Sequence, residues 1–125
     1  MDLFWRCIPL NLTETGIILF CEHYESTLDF YVEKMGLPVR RKGPELSVLD
    51  FGGSYLMIES NGVASDKEKT RAESPIVLRF NVKKFDEAVK ELSDRGANVE
   101  IKAFDWGTIG VIIDPEGNRI ELIEW

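Results

Sequence analysis

An α+β architecture of two β-α-β-β-β modules, paired into a curved mixed sheet with a cleft, is implied by three features of the 125-residue chain. Apolar alternation gives way to helical spacing and then returns, and this happens twice in the same order. The two halves also align: Met35-Gly36-Leu37-Pro38-Val39 matches Arg95-Gly96-Ala97-Asn98-Val99 at an offset of 60. The third feature is the closing segment Asp114-Pro115-Glu116-Gly117-Asn118. Pro115 presets φ and Gly117 accepts the left-handed position, so this run makes a tight turn into a last strand. A module of this kind covers one sheet face with its helix and leaves the other free, and pairing two of them builds a cleft.

The elements follow in order. Ile17, Leu19 and Cys21 alternate from Thr15 and predict a first strand. Residues 24–35 switch to helical spacing through Leu28, Tyr31, Val32 and Met35, and Gly36 stops the helix. Residues 37–42, 45–51 and 54–60 are three strands separated by Gly43-Pro44 and Gly52-Gly53 turns. Residues 61–74, rich in Ser, Asp, Lys, Glu and Thr, have no periodicity and read as a mobile connection, with the charge run Asp66-Lys67-Glu68-Lys69 as solvated loop. The second module starts with a strand over 76–82 and a helix over 85–95, with Phe85, Ala88, Val89 and Leu92 on one face and Gly96 as its stop. Strands over 99–104, 108–113 and 119–124 complete it. The chain is thus one domain: module one about 15–60, a connection 61–74, and module two about 75–125.

A hydrophobic fraction of 44% with three tryptophans calls for a packed core rather than disorder. A net charge of −7 argues against nucleic acid or an anionic membrane as partner, since both need a basic face; it favours a neutral or cationic ligand. Cys7 and Cys21 make no disulfide framework and have no Cys or His at metal-ligand spacing, so Cys21 reads as a small buried hydrophobe. The start, Met1-Asp2-Leu3-Phe4-Trp5-Arg6, lacks a signal-peptide pattern, and no run approaches the ~18 apolar residues of a membrane span, so a reducing cytoplasm is expected.

Three motifs carry a resemblance: Leu28-Asp29-Phe30-Tyr31 followed by Gly36, Phe85-Asp86-Glu87-Ala88 leading to Gly96, and the closing stretch from Asp114 to Leu122. Together they resemble the vicinal oxygen chelate superfamily of glyoxalase I, bleomycin-resistance proteins and extradiol dioxygenases, from about Thr15 to the C-terminus. The resemblance implies four metal-ligand positions on the first and last strands of the two modules. They fall on Gly16, Met57, Val77 and Glu121. Three of these side chains cannot hold a hard divalent ion, and one carboxylate alone is a poor site. A one-residue slip restores nothing, because Thr15, Ile17, Ile76 and Leu78 are no better. His23, the sole histidine, comes where relatives commonly carry Asp and reads as a solvated residue at the start of the helix. The character implied is that of the metal-lacking, bleomycin-resistance-like members, with no cofactor.

The inward register that the resemblance implies turns Gly16, Ile18, Phe20, Tyr55, Met57, Glu59, Val77, Arg79, Asn81, Arg119, Glu121 and Ile123 toward the cleft. The opposite faces carry Ile17, Leu19, Leu56, Ile58, Ile76, Leu78, Phe80, Ile120 and Leu122, an aliphatic surface on which helices can pack, which supports the register independently. The expected ligand-binding set is Phe20, Tyr55, Met57, Glu59, Arg79, Asn81, Trp106, Arg119 and Glu121. Phe20, Tyr55, Met57 and Trp106 supply apolar walls, while Arg79 suits a carboxylate or phosphate and Glu121 an amine. Arg79 and Glu121 can equally be an ion pair filling the place of a lost metal site. The function expected is metal-independent binding or sequestration of a small, cationic or aromatic molecule by a homodimer in which module one of each chain faces module two of the other. The alternative is an enzyme, a glyoxalase-like lyase, isomerase or dioxygenase using Glu121 as base or as residual metal ligand. A protein-binding role for residues 1–14 has no positive support in the sequence.

Overall fold

The computed structural model describes residues 8–125, so Cys7 and the segment Met1 to Arg6 lie outside the described residues. The element order is β1 (Gly16–Cys21), α1 (Tyr24–Asp29), a π turn (Phe30–Lys34), β2 (Val39–Arg41), β3 (Leu46–Phe51), β4 (Ser54–Ser60), β5 (Leu78–Val82), α2 (Phe85–Asp94), β6 (Glu100–Phe104), β7 (Gly107–Ile113) and β8 (Arg119–Glu124). Each module closes its own four-stranded mixed sheet. The strand orders are β1-β4-β3-β2 and β5-β8-β7-β6, so the second module repeats the topology of the first. In each sheet the first and last strands run parallel, and the remaining neighbours are antiparallel. That parallel pair requires a crossover, which the intervening helix and hairpin provide.

Burial alternates as the register expects. Leu56, Ile58, Leu78, Ile120 and Leu122 are buried on one side, while Ile18, Phe20, Arg79 and Asn81 on the other remain exposed. One continuous core contains Leu28, Tyr31, Leu49, Leu56 and Ile58 from the first module with Leu78, Leu92, Ile112, Ile120 and Leu122 from the second. Burying so much aliphatic surface in a shared core holds the two sheets together. A T-shaped contact between Phe51, at the end of β3, and Phe80, in the middle of β5, with 5.2 Å between ring centroids, joins the modules.

The first helix departs from the expected uniform α-helix. After Asp29 it widens into a π turn in which the Met35 amide donates to the Phe30 carbonyl. The extra residue per turn lets Phe30 and Tyr31 both point into the core, where their rings meet edge to face at 5.2 Å. The Leu37 amide then bonds the Tyr31 carbonyl across Gly36, whose φ of +74° closes the helix. The second strand is shorter than expected because Pro38 offers no N–H and the register shifts between Val39 and Arg41. Val77 and Ile76 fall outside β5, whose ladder starts at the Leu78–Ile120 pair.

The connection between modules is also more ordered than its composition suggests. Gly62 donates to the Cys21 carbonyl, Ser65 to that of Glu116 and Lys69 to that of Gly117, so the segment is laced to the closing turn. The charge run keeps Asp66, Lys67 and Glu68 exposed, as a solvated loop would, while the Glu68 carboxylate also meets Arg71 at 3.0 Å and Arg119 at 3.4 Å. Cys21 is fully buried, and burial together with the nearby Glu116 and Asp114 carboxylates pushes its thiol up to about 12. It is an inert packing residue. No helix among the described residues is long and apolar enough to cross a membrane.

Candidate functional site

Strand pairing places the expected residues side by side on the open sheet faces. In module one Gly16 is level with Tyr55, Ile18 with Met57, and Phe20 with Glu59. In module two Arg79 is level with Glu121 and Asn81 with Ile123, while Val111 lies on the far side of Glu121. The face thus presents a mainly apolar half and a charged half.

Gly16, the first implied ligand position, is covered by the aromatic ring of Tyr55. A Cβ at Gly16 would overlap the Tyr55 ring atoms Cζ, Cε1 and Cε2. The ring lies beneath the Arg40 guanidinium, 6.0 Å from the centroid. Arg40 is held by two hydrogen bonds to Glu14, at 3.0 and 2.7 Å, and by an ion pair with Asp50. Hydrogen bonds to those carboxylates raise the guanidinium pKa further, so its charge is permanent. Module one therefore fills its own ligand position with an aromatic plug braced by a cation. Arg40, Glu14 and Asp50 escape a reading by motif, because they come from separate segments, β2, the stretch before β1, and β3, and meet only in the folded sheet.

In module two the surviving carboxylate is occupied. Arg79 Nη2 donates to Glu121 Oε1 at 2.7 Å, and Arg119 Nε donates to Oε2 at 2.9 Å. Side-chain exposure is 14% for Glu121 and 17% for Arg119 but 45% for Arg79, so Arg79 is the open end of the cluster. Partial burial works to raise the Glu121 pKa. The hydrogen bonds from Arg79 and Arg119 outweigh it and hold the carboxyl below its ordinary range.

These arrangements do not fit a bound metal. Met57 offers only a thioether, Val77 has no donor and precedes the strand, and the Glu121 oxygens face two guanidiniums that a cation would have to displace. Among the described residues no group of three or more His, Cys, Asp or Glu side chains is placed to hold an ion. His23 is exposed; its backbone amide, with that of Glu22, donates to the buried Glu116 carboxylate at 2.8 and 2.7 Å. Tyr31 Oη donates to Asp114 Oδ2 at 2.6 Å beside it, so the closing turn clamps the first helix.

Within one chain the expected residues do not share a single cavity. Phe20 and Arg119 line a pocket of about 400 Å³ between the modules with Ile18, Ile76 and Leu78. Arg79 and Asn81 line another, of about 230 Å³, with Phe51, Gly52 and Phe80. Trp106 lies in a third, of about 400 Å³, beside Ile123, Phe85 and Asp86. Trp106 is 63% exposed and stacks on Phe104 with centroids 5.1 Å apart and planes 3° from parallel. The sequence places Phe104-Asp105-Trp106-Gly107 in a hairpin connection, and the structure adds Phe104 as the stacking partner of Trp106 there. Tyr55, Met57 and Glu59 form an open, half-buried strip.

Comparison with known proteins agrees with this architecture. A sequence model of the Glyoxalase/Bleomycin resistance protein/Dioxygenase superfamily matches residues 13–122. The uncharacterized Bacillus subtilis (strain 168) protein YwkD is 30% identical over 119 residues, covering 86% of this chain and 93% of its own. Among solved structures, a glyoxalase/bleomycin resistance protein/dioxygenase from Alicyclobacillus acidocaldarius superposes with a TM-score of 0.73 at 20% identity, covering 90% of each chain. A lactoylglutathione lyase from Agrobacterium tumefaciens gives 0.69 at 18% identity, covering 94% of this chain and 95% of its own. At such identities the structural likeness extends to the fold and no further.

Proposed function

The chain belongs to the Glyoxalase/Bleomycin resistance protein/Dioxygenase superfamily, and within it we propose that it is a metal-independent small-molecule-binding protein acting as a homodimer. The observation that carries this reading is the Tyr55 ring lying over Gly16. A position where the resemblance implies a metal ligand holds an aromatic wall instead, and Glu121, the remaining carboxylate, is paired with two arginines. What is left is an apolar surface with a few oriented polar groups, the composition typical of a binding pocket.

The dimer enters because the apolar face of one chain is open. Ile18 and Phe20 on β1 are 47% and 49% exposed, side by side at the edge of a sheet. Exposed apolar groups clustered in this way favour association. Facing module one of each chain with module two of the other would set the Phe20–Met57 surface opposite the Arg79–Glu121 cluster in two symmetry-related clefts. Acid–base chemistry by Glu121 is disfavoured by the same geometry, since a carboxylate stabilised as its anion by two guanidiniums is a weak base.

Metal-stripped protein titrated with Zn²⁺, Ni²⁺ or Mn²⁺ is the test. We expect no stoichiometric binding at micromolar concentration. One ion bound per site at that affinity would defeat the proposal.

A further inference from the structure

We propose that the Arg79 end of the cleft recognises an oxyanion, the carboxylate or phosphate of a small aryl compound, with Arg79 as the principal donor and Asn81 beside it. This rests on the small-molecule-binding reading above and adds the chemical class. Three observations support it.

The first is donor supply. A guanidinium has five N–H donors in a planar fork. Arg79 uses one of them, toward Glu121, among the described residues. The Nε hydrogen, both Nη1 hydrogens and the second Nη2 hydrogen remain, on a side chain that is nearly half exposed and is anchored at one Nη2 hydrogen. Each two-point edge of a guanidinium pairs Nη2 with either Nε or Nη1, and the Glu121 bond takes one Nη2 hydrogen, so an oxyanion docks with two hydrogen bonds on the edge completed by the second Nη2 hydrogen and loses little rotamer freedom.

The second is local charge. Among the described residues, Arg79, Arg119 and Arg71 pair with two carboxylates, Glu121 and Glu68. In a chain of net charge −7 this cluster keeps an excess of positive charge. The acidity of the whole chain therefore does not describe this corner, and an anion rather than a cation is the ligand group that suits it.

The third is shape. Arg79 and Asn81 lie on β5, the edge strand of its sheet, and line a pocket of about 230 Å³ whose other walls are Phe51, Gly52 and Phe80. The two phenylalanine rings meet at 65°, offering an aromatic wall against which a flat apolar group can pack. Gly52 has a φ of +58° and nothing within 4 Å of where a Cβ would stand, so the β3–β4 turn leaves the mouth unobstructed. Guanidinium, carboxamide and aromatic wall together describe an aryl carboxylate or aryl phosphate.

The test is a ¹H–¹⁵N NMR titration of the full chain with four matched probes: benzoate, phenyl phosphate, benzylammonium and benzyl alcohol. We expect benzoate or phenyl phosphate to shift the Arg79 Nε–H and Asn81 side-chain amide signals saturably, the tighter of the two naming the oxyanion. The neutral and cationic probes should leave the Arg79 signal in place. Arg79→Gln should weaken the anionic probes roughly tenfold or more, as expected for loss of a charge-assisted hydrogen bond, with Arg79→Lys intermediate and an unchanged circular dichroism spectrum in both. The same affinity in Arg79→Gln, or equal shifts from all four probes, would overturn the proposal. Should benzyl alcohol or benzylammonium move Phe20 and Met57 while no anion engages Arg79, the oxyanion assignment fails and the binding reading survives. If no probe moves any cleft residue, both fall.

Discussion

Gly16 has no side chain, and the Tyr55 ring takes the volume that one would fill. That ring is the free end of a rotatable side chain, so Gly16→Ala should be accommodated by swinging it away from Arg40 rather than by moving the strand. We expect a cost of about 1 kcal/mol. In a Tyr55→Ala background the same substitution should cost nothing, and urea denaturation of the two single variants and the double measures the coupling. Glu121 offers a second residue-level test. Its folded pKa is depressed, so the unfolded chain binds the proton more tightly and the carboxylate contributes stability above the ordinary carboxylate range. That contribution is lost as pH falls from about 4.3 through the folded value. Glu121→Gln should be less stable than the parent at pH 7 by about 1–3 kcal/mol, and the gap should close in the acid limb of a stability–pH curve.

At the level of elements, the closing turn and the first helix form one unit. The buried Glu116 carboxylate accepts from the Glu22 and His23 amides, and Asp114 accepts from the Tyr31 hydroxyl while its other oxygen holds the amides of Glu116 and Asn118. The bonds from Glu22, His23 and Tyr31 cross from one module to the other in a partly or fully buried setting, where an unsatisfied donor is expensive. Glu116→Gln should cost about 1–3 kcal/mol and speed hydrogen exchange of the Glu22 and His23 amides; unchanged exchange would show that the clamp does not hold the helix. The turn itself was legible from Pro115 and Gly117, because turn geometry is a local property. Its role as an inter-module clamp was not, since Glu116 and His23 are far apart in sequence. The π turn was hidden for a related reason: Phe30 breaks the α-helical spacing, and only packing against the sheet compensates for the widened helix.

For the whole molecule, the homodimer is the testable consequence of an apolar face left open. Sedimentation velocity of the parent chain should give a dimer, and Ile18→Asp combined with Phe20→Asp should give a folded monomer, because the new charges would have to be desolvated at the contact. A monomeric parent would remove the composite cleft. It would leave pockets that a single chain already possesses, among them one under Phe20 and Arg119, one under Arg79 and Asn81 and one beside Trp106.

The tandem modules, the strand faces and the meeting of Arg79 with Glu121 were legible in the chain because they follow from periods of 2 and 3.6 and from a repeat, all local or regular quantities. Packing alone decided the rest. It put the Tyr55 ring over Gly16, braced it through Arg40, tied Glu68 into the arginine cluster and divided the expected ligand-binding residues among separate pockets. These depend on where side chains from distant segments end when two sheets share one core, and alternation along a strand specifies which face a residue takes but not what it meets there.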